Sequence, residues 1–148
     1  MATFSVTVKT PGAVGANAPV ALIRAAAGSR PRMVRIEIIN HAAPATSTVI
    51  DFYRIPSGNV GSGPTSFLGQ PYQSADVALT NVDIAWAGAP TVPGGAVPFG
   101  GVTLGGSIGL GQIYTFPAPD WTLDPQTGLL LWAPSAGAQL RITPHWSE

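Results

Sequence analysis

The run Arg32-Met33-Val34-Arg35-Ile36-Glu37-Ile38-Ile39-Asn40 constrains the fold more than any other stretch. Its apolar and charged residues alternate, and side chains alternate between faces only in an extended strand. Its β-branched residues also lose rotamer freedom in a helix. The spacing predicts a half-buried central strand. Val34, Ile36 and Ile38 would face a core, and Arg35 and Glu37 would face out as salt-bridge or subunit-contact residues.

The rest of the chain is punctuated too often for long helices. Its 148 residues include 18 glycines and 15 prolines. Disorder requires low hydrophobicity and high net charge. Here 45% of residues are hydrophobic and the formal net charge is zero. The punctuation therefore marks turns between short strands. Length fits one domain, residues 1–148, with a substantial core. Charged residues are only 9%, against about 25% in an ordinary globular protein. So uncharged a surface suits a chain that meets other protein.

In chain order, Phe4, Val6 and Val8 alternate in a first strand. Residues 20–27 form a second, with Leu22 and Ile23 on opposite faces. After the 32–40 strand, residues 46–54 form another that can pair antiparallel with it. Ile50 and Phe52 would then face in, and Asp51 and Tyr53 out. Residues 56–65 are loop, and 66–71 hold at most a short strand. Thr80-Asn81-Val82-Asp83 suits a turn or one helical turn. Residues 88–111 form a long glycine- and proline-rich loop. Their first part, 88–101, is long enough, and apolar enough at Val92, Val97 and Phe99, to be an ordered loop packed on something. Residues 112–116 are a strand, Asp124-Pro125-Gln126-Thr127-Gly128 a turn, and 129–132 a strand apolar on both faces, hence central. Residues 139–146 alternate most cleanly, with Gln139, Arg141, Thr143 and His145 outward. About eight such strands predict an all-β antiparallel sandwich or barrel of jelly-roll-like type.

Composition narrows the function. Zero net charge gives no overall pull towards nucleic acid or membrane, and neither is expected as a partner. Residues 1–54 nevertheless carry a net +4 and residues 55–140 a net −4. That split suits pairing between the halves of one sandwich or between neighbouring copies. Without cysteine there is no disulfide and no thiolate metal site. The N-terminus alternates like a strand and lacks the basic and apolar regions of a secretory signal. Residues 84–119 are uncharged, but their prolines and glycine pairs oppose a spanning helix.

Candidate chemistry is weak throughout. Gly105-Gly106-Ser107-Ile108-Gly109 matches a nucleophile elbow, with Asp120 or Asp124 and then His145 in hydrolase order. The glycines that follow lead into a strand where the elbow needs a helix. His41 and His145 lack metal-ligand spacing. No phosphate-cradling loop occurs, and no cofactor is expected. Arg24, Arg30, Arg32 and Arg35 have no aromatic neighbours, which favours carboxylate pairing at protein interfaces over nucleic acid. Trp121, in a loop beside Pro119 and Asp120, is the tryptophan expected to be exposed, as an interface anchor or a carbohydrate contact. The candidate protein-contact residues are Arg30, Arg32, Arg35, Glu37, Phe99 and Trp121.

One longer pattern adds a family likeness. The segments Leu68-Gly69-Gln70-Pro71 and Thr80-Asn81-Val82-Asp83-Ile84-Ala85-Trp86-Ala87-Gly88-Ala89-Pro90-Thr91-Val92-Pro93-Gly94, together with Val34-Arg35-Ile36-Glu37-Ile38 and the closing Trp146-Ser147-Glu148, resemble a family of small tailed-bacteriophage virion proteins. The resemblance spans most of the chain. It implies a non-enzymatic structural role, as a capsid decoration (cement) protein on the head exterior, assembled in the bacterial host cytoplasm. The implied partners are the major capsid protein and other copies of the chain, as dimer or trimer. The alternatives are a carbohydrate- or receptor-binding module of the particle and, more remotely, a serine hydrolase using Ser107.

Overall fold

The computed structural model describes residues 1–42, 47–73, 75–117 and 121–148. Pro44, Thr46, Ser74, Pro119 and Asp120, to which the sequence assigns loop, strand-start or triad positions, lie outside them. The described strands are β1 (Thr3–Ser5), β2 (Val8–Lys9), β3 (Ala18–Arg24), β4 (Arg32–Asn40), β5 (Thr48–Ile55), β6 (Thr65–Leu68), β7 (Gln70–Pro71), β8 (Asn81–Ile84), β9 (Gly100–Leu104), β10 (Gly111–Thr115), β11 (Gly128–Ala133) and β12 (Leu140–Ser147). They form two antiparallel sheets packed face to face, an all-β sandwich. Sheet I runs β10-β4-β12-β1-β7, with β2 also on β12. Sheet II runs β6-β8-β3-β11-β5-β9.

The pairing is nested. β2 pairs with β12, β3 with β11, β4 with β10 and β5 with β9. The chain is thus one long two-armed ribbon whose rungs alternate between the sheets. β12–β4 and β11–β5 pairing closes the ribbon on itself. Residues 56–99, between β5 and β9, are an insertion at the ribbon's tip.

Burial follows strand periodicity. Leu22 and Ile23 do face opposite sides: Ile23 joins the main core between the sheets, while Leu22 lies on the outer face of sheet II. β11 is central as expected, with Leu129, Leu130 and Leu131 all buried. Its outer residue Leu130 sits beside Leu22 and Tyr53. These would be exposed but for the insertion. Val60, Trp86 and Val92 fold back over Leu22, Ile55 and Leu130 as a second, smaller core. Main-chain bonds between Ser62 and Gly88 (2.8 and 3.1 Å) and from Thr91 N–H to the Asn59 carbonyl (3.0 Å) fasten the cover.

Four expectations are corrected. The 88–111 loop is interrupted by β9, which pairs with β5 at the edge of sheet II. β5 does not pair with β4; consecutive strands of the ribbon lie in opposite sheets, and β5 neighbours the doubly apolar β11. Val34 is not in the core. His145 pairs with Arg35 but Trp146 with Met33, so Val34 is the extra residue of a bulge. Met33 turns in, and Val34 is 37% exposed. Residues 81–83 belong to β8 and not to a turn. The polar Asp83, fully buried, accepts a hydrogen bond from the Ser66 hydroxyl at 2.6 Å, and its other oxygen lies 2.8 Å from Arg24 Nε in an approach too oblique for a hydrogen bond, so that Arg24 acts through charge.

Candidate interaction surface

The predicted contact residues divide into two groups. Arg30, Arg32, Phe99 and Trp121 gather at one end of the sandwich, where residues 121–124 run beside 30–33. Met33 N–H donates to the Trp121 carbonyl (2.9 Å) and Leu123 N–H to that of Pro31 (3.0 Å). Arg30 lies 4.0 Å from Asp124, both well exposed. Together with the pair between half-buried Arg24 and buried Asp83, this contact joins the basic N-terminal part to the acidic remainder. Arg35 and Glu37 stand elsewhere, on the outer face of sheet I, 3.1 Å apart.

Phe99 and Trp121 are brought together by aromatic packing. Their centroids are 4.6 Å apart, Phe116 lies 4.7 Å from Trp121, and Tyr114 meets Phe52 edge-on at 4.8 Å. Such pairs contribute about 0.5–1.5 kcal/mol each beyond area burial. The Arg54 guanidinium lies 4.0 Å over the Trp121 ring, a cation–π contact. Trp121 is therefore half-buried and covered, and the expected exposed shelf is absent. Residues 88–99 pack only in part: Val92 enters the second core and Phe99 meets this cluster, whereas Val97 is 80% exposed.

His145, which the alternation turns towards solvent, is nearly buried. Its Nδ1 is 2.6 Å from the Tyr72 hydroxyl and its Nε2 is 3.1 Å from a Glu37 carboxylate oxygen. The latter approach is too oblique for a good hydrogen bond, so it acts mainly through charge. Burial pushes the His145 pKa down, aided by Arg35 and opposed by Glu37. A neutral ring fits this site, with Nδ1 accepting from Tyr72. Nearby, Lys9 and Arg141 are cross-strand neighbours of like charge with no ion-pair partner among the described residues.

Exposed apolar side chains concentrate at the two edges of the sandwich. At one edge the chain passes from β6 in sheet II to β7 in sheet I through Gly69. A Cβ at Gly69 would strike the Trp146 indole. Phe67, Leu68, Tyr72, Val77 and Leu79 are exposed there. At the other edge β9 and β10 end the two sheets, and Val97, Phe99, Ile108, Leu110 and Ile113 are exposed. Sequence reasoning selects only Phe99 of these ten. Edge position depends on which strands pair, and no local pattern encodes that.

The nucleophile-elbow pattern around Ser107 does not form an elbow. Ser107 lies in the connection between β9 and β10, and its carbonyl accepts from Asn40 Nδ2 (3.1 Å), as does that of Gly105 (2.6 Å). The element that follows it is the strand β10, not a helix. His41 is exposed, and no group of three or more His, Asp or Glu side chains converges among the described residues. A recess of about 410 Å³ lies beside the second core and is lined in part by Arg24, Ser57, Asn81 and Gln126. Among the described residues no helix is long and apolar enough to cross a membrane. No protein-family model, curated protein or solved structure matches the chain.

Proposed function

We propose that this protein is a structural component of a tailed-bacteriophage particle. It would be a decoration (cement) protein that binds the major capsid protein lattice from outside and acts by contact, not by catalysis. The observation that carries the reading is the distribution of uncovered apolar surface. The chain uses its insertion to cover sheet II, yet leaves ten large apolar side chains exposed along its two edges. Exposed apolar surface in contiguous patches marks protein contacts. A rigid sandwich with two sticky edges suits a protein that bridges neighbouring subunits, where many modest contacts add through multivalency. The sequence likeness to small virion proteins supports the same role. The nested order, four rungs wrapped as one ribbon, supports reading the sandwich as a jelly roll.

The other two readings gain nothing from the geometry. A glycan platform at Trp121 meets a ring covered by Arg54, Phe99 and Phe116. A hydrolase at Ser107 lacks the strand–turn–helix elbow. The test is reconstitution: purified protein is added to phage heads that lack it. Saturable binding and a higher temperature of shell rupture are expected. Absence of binding, with residues 55–120 freely exchanging their amide protons, would overturn the proposal.

A further inference from the structure

The edge formed by β10 carries a pattern that can be matched by itself. Asn40 N–H donates to the Leu110 carbonyl (2.9 Å) and Phe116 N–H to that of Val34 (3.0 Å). The register pairs Gln112 with Ile38 and Tyr114 with Ile36. In an antiparallel ladder such hydrogen-bonded residues alternate with residues whose N–H and C=O point away. The even-numbered residues therefore bond to β4, and Gly111, Ile113 and Thr115 turn their N–H and C=O outward, where β10 has no further strand among the described residues.

We infer that the β10 edges of two copies pair antiparallel about a two-fold axis at Ile113, joining two sheets I into one continuous sheet. The outward residues are spaced evenly about Ile113. Ile113 then exchanges both hydrogen bonds with Ile113 of the second copy, and Gly111 with Thr115 in each direction. Every outward main-chain group of the strand gains a partner, as an isologous interface requires. The side chains agree. Ile113 is 62% exposed on the outer face of sheet I. Ile39 leans across Gly111, where a Cβ would lie 2.8 Å from the Ile39 side chain. Ile39 thus fills the space over the bare Gly111, and Ile39 and Ile113 of both copies form one apolar strip. Free edges are ordinarily defended by lysine, proline or a bulge. β10 has none of these and no charge. The β6 edge is also uncharged, but a contact between β6 and β10 would not place Ile113 against itself.

Purified protein alone tests this, so the outcome is independent of capsid binding. Sedimentation of the wild-type chain should give twice the 15.1 kDa chain mass. Ile113→Pro removes only an outward N–H, which edge strands tolerate. It should sediment as monomer with an unchanged far-ultraviolet circular dichroism spectrum. Ile113→Lys should do the same if the proline variant unfolds. Ile113→Cys introduces the sole cysteine of the chain and should form a covalent dimer on oxidation. Hydrogen-bonded antiparallel pairs have Cα atoms about 5.5 Å apart, within disulfide reach. The inference is overturned by a wild-type monomer at tens of micromolar. It is equally overturned by a dimer that survives both Ile113→Pro and Ile113→Lys, or by an Ile113→Cys variant that assembles but does not cross-link on oxidation.

Discussion

The outer faces of the two sheets have opposite fates. That of sheet II carries Leu22, Leu130, Ile55 and Tyr53 and is sealed by the chain's own insertion. That of sheet I carries Lys9, Arg35, Glu37, Thr143 and Arg141 and stays open. The difference shows what the charge-poor middle of the sequence is for. Its first task is intramolecular. Val60, Trp86 and Val92 are consumed in covering sheet II, and only the apolar residues left along the edges remain for partners. The insertion is also tied to sheet I through Glu148. That carboxylate accepts the main-chain N–H of Leu79 and Thr80 (both 2.9 Å) and the Trp146 indole N–H (2.8 Å).

Variants should follow this contrast. Leu130→Ala, beneath the cover, should cost about 2–5 kcal/mol, the range for truncating a buried leucine, read as a lower urea midpoint. A loss below about 1 kcal/mol would mean that the cover is loose. Glu148→Ala strands three donors and should cost about 1–3 kcal/mol. It should also speed amide exchange at residues 79–80 before global unfolding. On the open face the effects shrink. His145 has a lowered folded pKa, so the native state binds fewer protons than the unfolded chain. Its contribution is full above the ordinary histidine pKa near 6.5 and is lost as pH falls through the folded value. His145→Gln should flatten thermal stability against pH in that window. Arg35→Ala should narrow the window, and Glu37→Gln should widen it. An unchanged profile in His145→Gln would contradict the assignment. Arg30→Ala should be the smallest change, under about 0.5 kcal/mol in thermal or denaturant melts, since its pair with Asp124 is long and exposed.

Much of the sandwich is legible in the sequence because strand periodicity is local. Leu22 against Ile23, the doubly apolar β11 and the inward Leu140, Ile142 and Trp146 are readable from spacing alone. Pairing is not. β4 and β5 are both good strands, and no residue between them says that the chain crosses to the other sheet. The bulge at Val34 is hidden because it is set by the partner strand's register. Asp83 reads as a turn residue because its partners, Arg24 and Ser66, come from the strands on either side. The candidate surface suffers most from this. Arg35, Glu37 and Phe99 stand out by charge or setting, whereas Ile113, Phe67 and Leu68 matter only because β10 and β6 fall at edges.

Whether the edges are the working surface is tested most directly by a cryo-electron-microscopy reconstruction of the intact particle. It should show the sandwich outside the capsid shell, with the edge around residues 65–79 seated against capsid protein and the β10 edge against a second copy. A shell without the protein, or a protein docked through the open face of sheet I with both edges in solvent, would contradict it.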